Sequence, residues 1–354
     1  MKNFASWGVR IRQNKDKNYY SVWNNLETVR LDLGETIPLD PECSEFYDVG
    51  ITERCNAWDY RDGDRVSGCA FCYVEADSTK QDYNNVCEIW KNWMDSFPED
   101  KPLDFENDEI LKDILSKPTK ENTIEEVRFK LETYMRLKKN GGCYTEKPFQ
   151  IACGSTGEVT IHPQFTNFLE TVYNTKVVPN YTTNGIILAS DTKKSEEILE
   201  ATSKFCGGVA VSFGNKSLRT QADKAIQKLL KYGDCKVMIH ELIGTKEDVD
   251  ELITLNDKYG KDIHYHVLLP LMKHGRSEVG MDNETYLYLV NKINELGLTN
   301  LAFGANFAPF MKNNNISPNV WEYPQECYSK NVLLKDKVII TPSSYNLTPI
   351  YVYH

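Results

Sequence analysis

Residues 149–185 read FQIACGSTGEVTIHPQFTNFLETVYNTKVVPNYTTNG. An apolar run, Phe149–Cys153, stops at a glycine-rich turn. Phe165, Phe168, Leu169, Val172 and Tyr173 then follow the i, i+3, i+4, i+7, i+8 spacing of one buried helix face. A second apolar run, Val177–Tyr181, completes a strand–helix–strand unit, whose two strands are expected to lie parallel.

The same rhythm continues downstream with Val209–Phe213, Lys236–His240, Ile263–Leu269 and Leu301–Phe303. The six runs start 28, 32, 27, 27 and 38 residues apart, room each time for a loop and a crossover helix. Ala222, Ala225, Ile226, Leu229 and Leu230 line another helix face, which Gly233 should stop. Thr245-Lys246-Glu247-Asp248 comes close to a capping box opening a helix that ends near Gly260. An earlier run, Phe46–Thr52, brings the count to about seven strands. A doubly wound sheet would carry a glycine-rich dinucleotide fingerprint after a strand, and none follows one here. The expected architecture is α/β, a partial (β/α)6-type parallel barrel, with chemistry at the C-terminal ends of its strands.

Three regions fall outside that rhythm. Residues 1–45 read as a β-rich lead-in, with Trp7–Arg12 and Tyr19–Val22 flanking a polar turn at Asn14–Asn18. Residues 46–310 make the barrel. Within them, 74–148 form a charged helical insertion, holding the first barrel helix and helices around Asn84–Met94, Asn107–Leu115 and Thr123–Lys138. Residues 311–354 make a C-terminal extension, in which Lys330–Thr341 reads as a hairpin around Lys335-Asp336.

Composition narrows the class. A chain of 354 residues, 41% hydrophobic and 26% charged, is ordinary globular material and excludes a disordered tail or a disulfide-stapled miniprotein. No apolar run approaches the roughly 20 residues that span a bilayer, and the N-terminus lacks a signal-peptide core. A cytoplasmic protein is expected, with no membrane partner. The net charge of −10 lowers the expectation of a nucleic-acid substrate, because phosphate binders usually present a basic face.

The strand ends carry the chemistry. Of ten cysteines most stand alone in apolar segments, where they read as small buried hydrophobes. Cys55, Cys69 and Cys72 stand apart as a group. Three thiolates can hold three irons of a cubane and leave the fourth open, whereas structural zinc wants four ligands, often a second Cys-x-x-Cys pair. On the cysteines alone a cluster, a zinc site completed by a distant residue, and unrelated thiols all stand. The second strand end brings Gly157-Glu158, a carboxylate suited to an ammonium group or a solvated turn residue. The third brings Thr182-Thr183-Asn184-Gly185 and the fourth Ser212.

In that order these features resemble the radical S-adenosylmethionine (radical SAM) superfamily. The likeness runs from about Tyr47 to Phe303. Cys69-Ala-Phe71-Cys72 is similar to the Cys-x-aromatic-Cys that ends the family's cluster loop. Gly154 to His162 is similar to its Gly-Gly-Glu segment, with Val159 in place of a frequent Pro. One departure stands out: thirteen residues, Asn56 to Gly68, separate the first two cysteines where the family has three, and Asp59 occupies the usual second position. Trp58–Ser67 reads as an insertion, which chain closure tolerates because loop entropy grows only logarithmically.

The resemblance implies a [4Fe–4S] cluster on Cys55, Cys69 and Cys72, with SAM on its open iron. One electron would cleave the sulfonium bond, and the 5′-deoxyadenosyl radical would take a hydrogen atom from substrate. It places the SAM ammonium on Glu158 and the backbone of Gly157, ribose or carboxylate on Ser212 and Asn184, and adenine between Phe71, the backbone of Tyr73 and Leu269. Lys273, His274 and Arg276 could read an anion or stay solvated. His240 could act on substrate, while His264 reads as structural. Glu241 ends the fifth strand, and His266 shares a strand face with His264. The tail holds one cysteine, Cys327, so a single cluster is expected. With the β-rich lead-in, this points to a peptide- or protein-modifying maturase, including one that excises backbone atoms. An accessory recognition protein and a flavodoxin or ferredoxin as electron donor would be its partners. Nucleoside or tRNA modification, a glycyl-radical activase, and a non-catalytic iron–sulfur or zinc interaction protein are the alternatives.

Overall fold

The computed structural model describes residues 3–14, 19–24, 28–32, 46–116, 124–298, 300–314, 332–334, 338–342 and 350–353. Seven strands run parallel in chain order: β1 (Phe46–Gly50), β2 (Gln150–Cys153), β3 (Val178–Thr183), β4 (Gly208–Ser212), β5 (Lys236–Ile243), β6 (Tyr265–Pro270) and β7 (Leu301–Phe303). Each pairs with the next, without the reversal that marks a doubly wound sheet. They curl into a half-barrel.

The two-residue pleat of these strands sorts their side chains. Tyr47, Val49, Ile151, Cys153, Tyr181, Val209, Val211, Val237 and Ile239 point outward. They bury against the apolar faces of α1 (Val86–Asp95), α2 (Phe165–Asn174), α3 (Lys193–Phe205) and α4 (Arg219–Tyr232). Phe46, Ala152, Ala210, Met238 and Val267 point inward and form a separate apolar layer on the concave face. A second outer core joins β5 to β7 with α5 (Lys246–Tyr259) and α6 (Asn283–Leu296) around Tyr286, Phe303 and Phe307. Thr245 and Asp248 make a complete capping box at the start of α5, and Gly233 ends α4 in the left-handed conformation.

β1 stops at Gly50, two residues short of the expected run. Thr52 leaves the ladder because its hydroxyl donates to Asp82 Oδ1 at 2.6 Å and its oxygen accepts from Arg54 N. β5 runs three residues further than expected, because Glu241 and Ile243 continue the buried alternation against β6. On the outer edge of β1, Val338–Pro342 adds antiparallel and pairs with Val332–Leu334, the two arms of the tail hairpin. Cys327, the Lys335-Asp336 turn and most of the Asn14–Asn18 turn lie outside the described residues.

The lead-in is a sheet of its own. Val9–Asn14, Tyr19–Trp23 and Thr28–Asp32 form a meander, and Gly142–Tyr144 and Lys101–Pro102 extend it. The 74–148 excursion is therefore not purely helical. Its strands complete the lead-in sheet, and its helices Glu109–Ser116 and Ile124–Asn140 bring Leu111 and Leu137 onto Val9, Ile11 and Val22. Arg10 joins this sheet to the barrel: fully buried, it donates to the carbonyl oxygens of Pro148 and Lys176, just before β2 and β3. Among the described residues no helix is long and apolar enough to cross a membrane.

Candidate functional site

The C-terminal end of β1 and the turn after β2 are stitched together by backbone. Glu158 N donates to Arg54 O at 2.8 Å, and Thr156 Oγ1 donates to Thr52 O at 2.7 Å. A Cβ on Gly157 would lie 2.6 Å from both the Thr52 and Arg54 carbonyl oxygens, so only glycine allows this approach. Cys55 follows directly, its own N–H bonded to Asp77 O.

The thirteen residues between Cys55 and Cys69 contain a β-hairpin. Trp58–Arg61 pairs antiparallel with Asp64–Ser67 around Asp62-Gly63, both at positive φ, the geometry of a type I′ turn. The Asp-Gly pair is the signal by which sequence alone could have found it. Gly68 closes the base by bonding to Ala57 O at 2.8 Å, which returns the chain beside Cys55 and places Cys69. Arg276 turns inward: it donates to Glu75 O at 2.7 Å and Ala76 O at 2.9 Å and pairs with the Asp77 carboxylate at 3.4 Å, clamping the loop that follows Cys72.

Cys55, Cys69 and Cys72 are free thiols, and the neighbouring thiols add to the cost of charging Cys55 and Cys69. Burial first, then Glu158 and the neighbouring thiols, push Cys55 up to about 12. Burial pushes Cys69 up to about 11, against a hydrogen bond from Asn215 that lowers it. Three half-buried cysteines with no lysine or arginine bonded to their sulfurs suit a cationic group, since bound metal reverses this electrostatic cost. Among the described residues, no group of three or more His, Cys, Asp or Glu side chains is arranged to hold a metal ion. The donor set fits a three-thiolate cluster better than four-coordinate zinc.

Glu158 is 3% exposed. One oxygen accepts from Thr183 Oγ1 at 2.8 Å and from the N–H and hydroxyl of Thr160; the other accepts from Asn184 N at 2.7 Å. Burial raises its pKa, and these bonds oppose the rise. Asn184 links the carboxylate to the cysteines, because its side-chain amide donates to Asn56 Oδ1 at 2.9 Å and to Cys55 Sγ at 3.7 Å. Tyr73 is 55% exposed, and its hydroxyl donates to Ser155 O at 3.0 Å, tying the cysteine loop to the glycine-rich turn. Phe71 lies against Gly214, just past β4. Ser212 ends β4 opposite His240 of β5. Leu269 belongs to the concave apolar layer, paired across from Leu242.

The histidines separate cleanly. His266 bonds to Glu241 in a buried pair on the outer face. His264 precedes β6, its Nε2 sealed and unpartnered, and burial pushes it down to about 3. The half-buried His240 sits on the concave face; its Nε2 is sealed and unpartnered, and burial pushes it down to about 4. Asn215 was invisible in the sequence: 5% exposed, it donates to Cys69 Sγ at 3.1 Å.

No family model and no curated protein matches the chain. Among solved structures, it is similar to Streptococcus suis SuiB bound to S-adenosylmethionine, at 15% identity and a TM-score of 0.42, covering 75% of this chain and 50% of that one. SuiB bound to its precursor peptide SuiA matches at 15% identity and 0.44, over 79% and 53%. An archaeal TYW1 matches at 13% identity and 0.31, over 62% and 63%. The chain thus spans about half the length of SuiB, and what it shares with these proteins is a likeness of fold.

Proposed function

We propose that this chain is a radical SAM enzyme acting on a ribosomally made peptide or a protein. The observation that carries the reading is the single hydrogen-bonded unit at the barrel rim. Asn184 reaches Cys55 through its side chain and Glu158 through its backbone, which supports reading the cysteines and the carboxylate as parts of one site.

Cys55, Cys69 and Cys72 would hold a [4Fe–4S] cluster, and Glu158 with the backbone of Gly157 would orient the SAM ammonium. A cluster held by these thiols would supply the electron for reductive cleavage of SAM and so the means of abstracting hydrogen from a substrate. The protein's own part is to position and to exclude water. Glu158 is held by its four bonds; Ser212 and Asn184 would offer polar contacts at the rim, and Phe71, the backbone of Tyr73 and Leu269 would flank adenine. The inner layer of Phe46, Ala152, Ala210, Met238 and Val267 keeps water from beneath the site.

The peptide or protein substrate rests on the cysteine-poor tail and the strand-rich lead-in, with backbone excision one of the outcomes this chemistry allows. A flavodoxin or ferredoxin would deliver the electron, and an accessory recognition protein could present the substrate. The acidic balance of −10 weighs against tRNA. The test is anaerobic reconstitution with iron and sulfide, then SAM and dithionite. A [4Fe–4S]⁺ EPR signal perturbed by SAM, with 5′-deoxyadenosine formed, is the expected result. A colourless protein holding zinc, or a cluster indifferent to SAM, would overturn it.

A further inference from the structure

Asn215 opens the turn after β4 and uses every polar atom of its side chain. Oδ1 accepts from Ser217 N at 2.9 Å, while Nδ2 donates to Trp58 O and to Cys69 Sγ, each at 3.1 Å. The orientation of the amide is therefore decided by chemistry. Flipped, its oxygen would face a carbonyl oxygen and a sulfur, and its NH2 would face an N–H.

The bonds around it form a clamp between the β4 turn and the inserted hairpin. Ser217 Oγ donates to Asp59 Oδ1 at 3.0 Å, and Asp59 Oδ2 accepts from Ala70 N at 3.1 Å, next to Cys69. Asp59 is the residue standing where the resemblance expects a cysteine. The displaced second thiol is thus brought back by a hairpin that is itself held by Asn215 and Asp59.

We propose that Asn215 is a positioning residue for the iron–sulfur cluster: it fixes the hairpin that returns Cys69 and donates an N–H···S bond that makes the cluster easier to reduce. This rests on the radical SAM reading above. A donor to a ligand sulfur stabilises the added negative charge of the reduced cluster more than the oxidised one, and hydrogen bonds to the sulfurs are among the factors that set such potentials. The bond on Cys69 is shorter than the 3.7 Å contact from Asn184 to Cys55. Cys55 also accepts from Ala57 N at 3.4 Å, so the contact from Asn215 to Cys69 is the shortest of these three N–H···S bonds.

The test uses the full chain. The wild type is reconstituted first, and its iron content and EPR-monitored midpoint potential are measured. Asn215→Leu removes the donor. Asn215→Asp removes it while keeping an acceptor for the Ser217 N–H, so it preserves the turn. Both variants should hold four irons with a midpoint lowered by about a tenfold change in the one-electron equilibrium, about 59 mV. In the apoproteins, trypsin should cut faster after Arg61 and Arg65, both in the hairpin. If the leucine variant loses iron, the aspartate variant carries the measurement. An unchanged midpoint in a four-iron variant would overturn the proposal, whatever the proteolysis shows, and would leave the enzyme reading intact. A wild type that assembles no four-iron cluster would instead bring down that reading, and this inference with it.

Discussion

Glu158 shows how much one side chain can be asked to hold. Its carboxylate gathers β2, β3 and the turn before α2 through Thr160, Thr183 and Asn184. Glu158→Gln keeps one acceptor but turns an NH2 toward either the Asn184 N–H or the Thr183 and Thr160 donors. An unsatisfied buried donor pair costs about 1–3 kcal/mol, so urea unfolding should show a loss of that size, together with weaker SAM retention by equilibrium dialysis. Cys72→Ala asks a different question of the same site. It should abolish cluster assembly, with iron falling far below four per chain by elemental analysis, while the apoprotein melts as before. Retention of all four irons would count against the ligand assignment.

At the scale of elements, the two glycines that flank the cysteine site make unequal demands. Gly157→Ala would place a methyl 2.6 Å from two carbonyl oxygens, both backbone and both leading into Cys55. Overpacking of this kind costs about 1–3 kcal/mol, and relief can come only by moving the cysteine strand. Iron content after reconstitution should fall along with the melting temperature. Gly63→Ala, at the hairpin tip, meets nothing within 4 Å and suffers only its positive φ. It should lose about 1–2 kcal/mol of stability to that backbone strain and keep its iron. Equal iron loss in both variants would show that the hairpin tip, not the stitch at Gly157, governs assembly. These elements also mark what the sequence could and could not disclose. Strand and helix positions were legible, because period-2 and period-3.6 burial is written in side-chain type: Val209, Val211, Ala222 and Ile226 all fall where the pattern puts them. The clamp was not. Asn215 and Arg276 act through bonds to partners 146 and 200 residues away, and no local pattern distinguishes such an asparagine or arginine from a solvated one. Likewise the strands Lys101–Pro102 and Gly142–Tyr144 are too short to carry a pattern; they exist because a distant edge accepts them.

For the whole molecule, burial of ionisable groups sets how stability responds to acid. His240 is held neutral, its folded pKa near 4 against an ordinary 6.5, so its contribution is fully present above pH 6.5 and is lost as pH falls toward 4. Within that window each such histidine contributes a slope approaching 1.4 kcal/mol per pH unit. His264, pushed down further, adds in the same direction. Glu158 and Glu241 act oppositely. Burial raises both, so the fold takes up their protons before the unfolded chain does, and each gains stability as pH falls through its folded value toward 4.5. The net curve is therefore a contest, and a single variant separates the terms. His240→Phe removes a sealed nitrogen that has no partner, so it breaks no hydrogen bond at Nε2. Urea unfolding of apoprotein at pH 7, 6 and 5 should give a variant that is less sensitive to acid than the wild type. The difference between them should grow by about 1 kcal/mol per pH unit below 6.5. If the two chains lose stability in parallel, His240 titrates normally in the fold, and the sealed concave face on which the exclusion of water depends would have to be open to solvent.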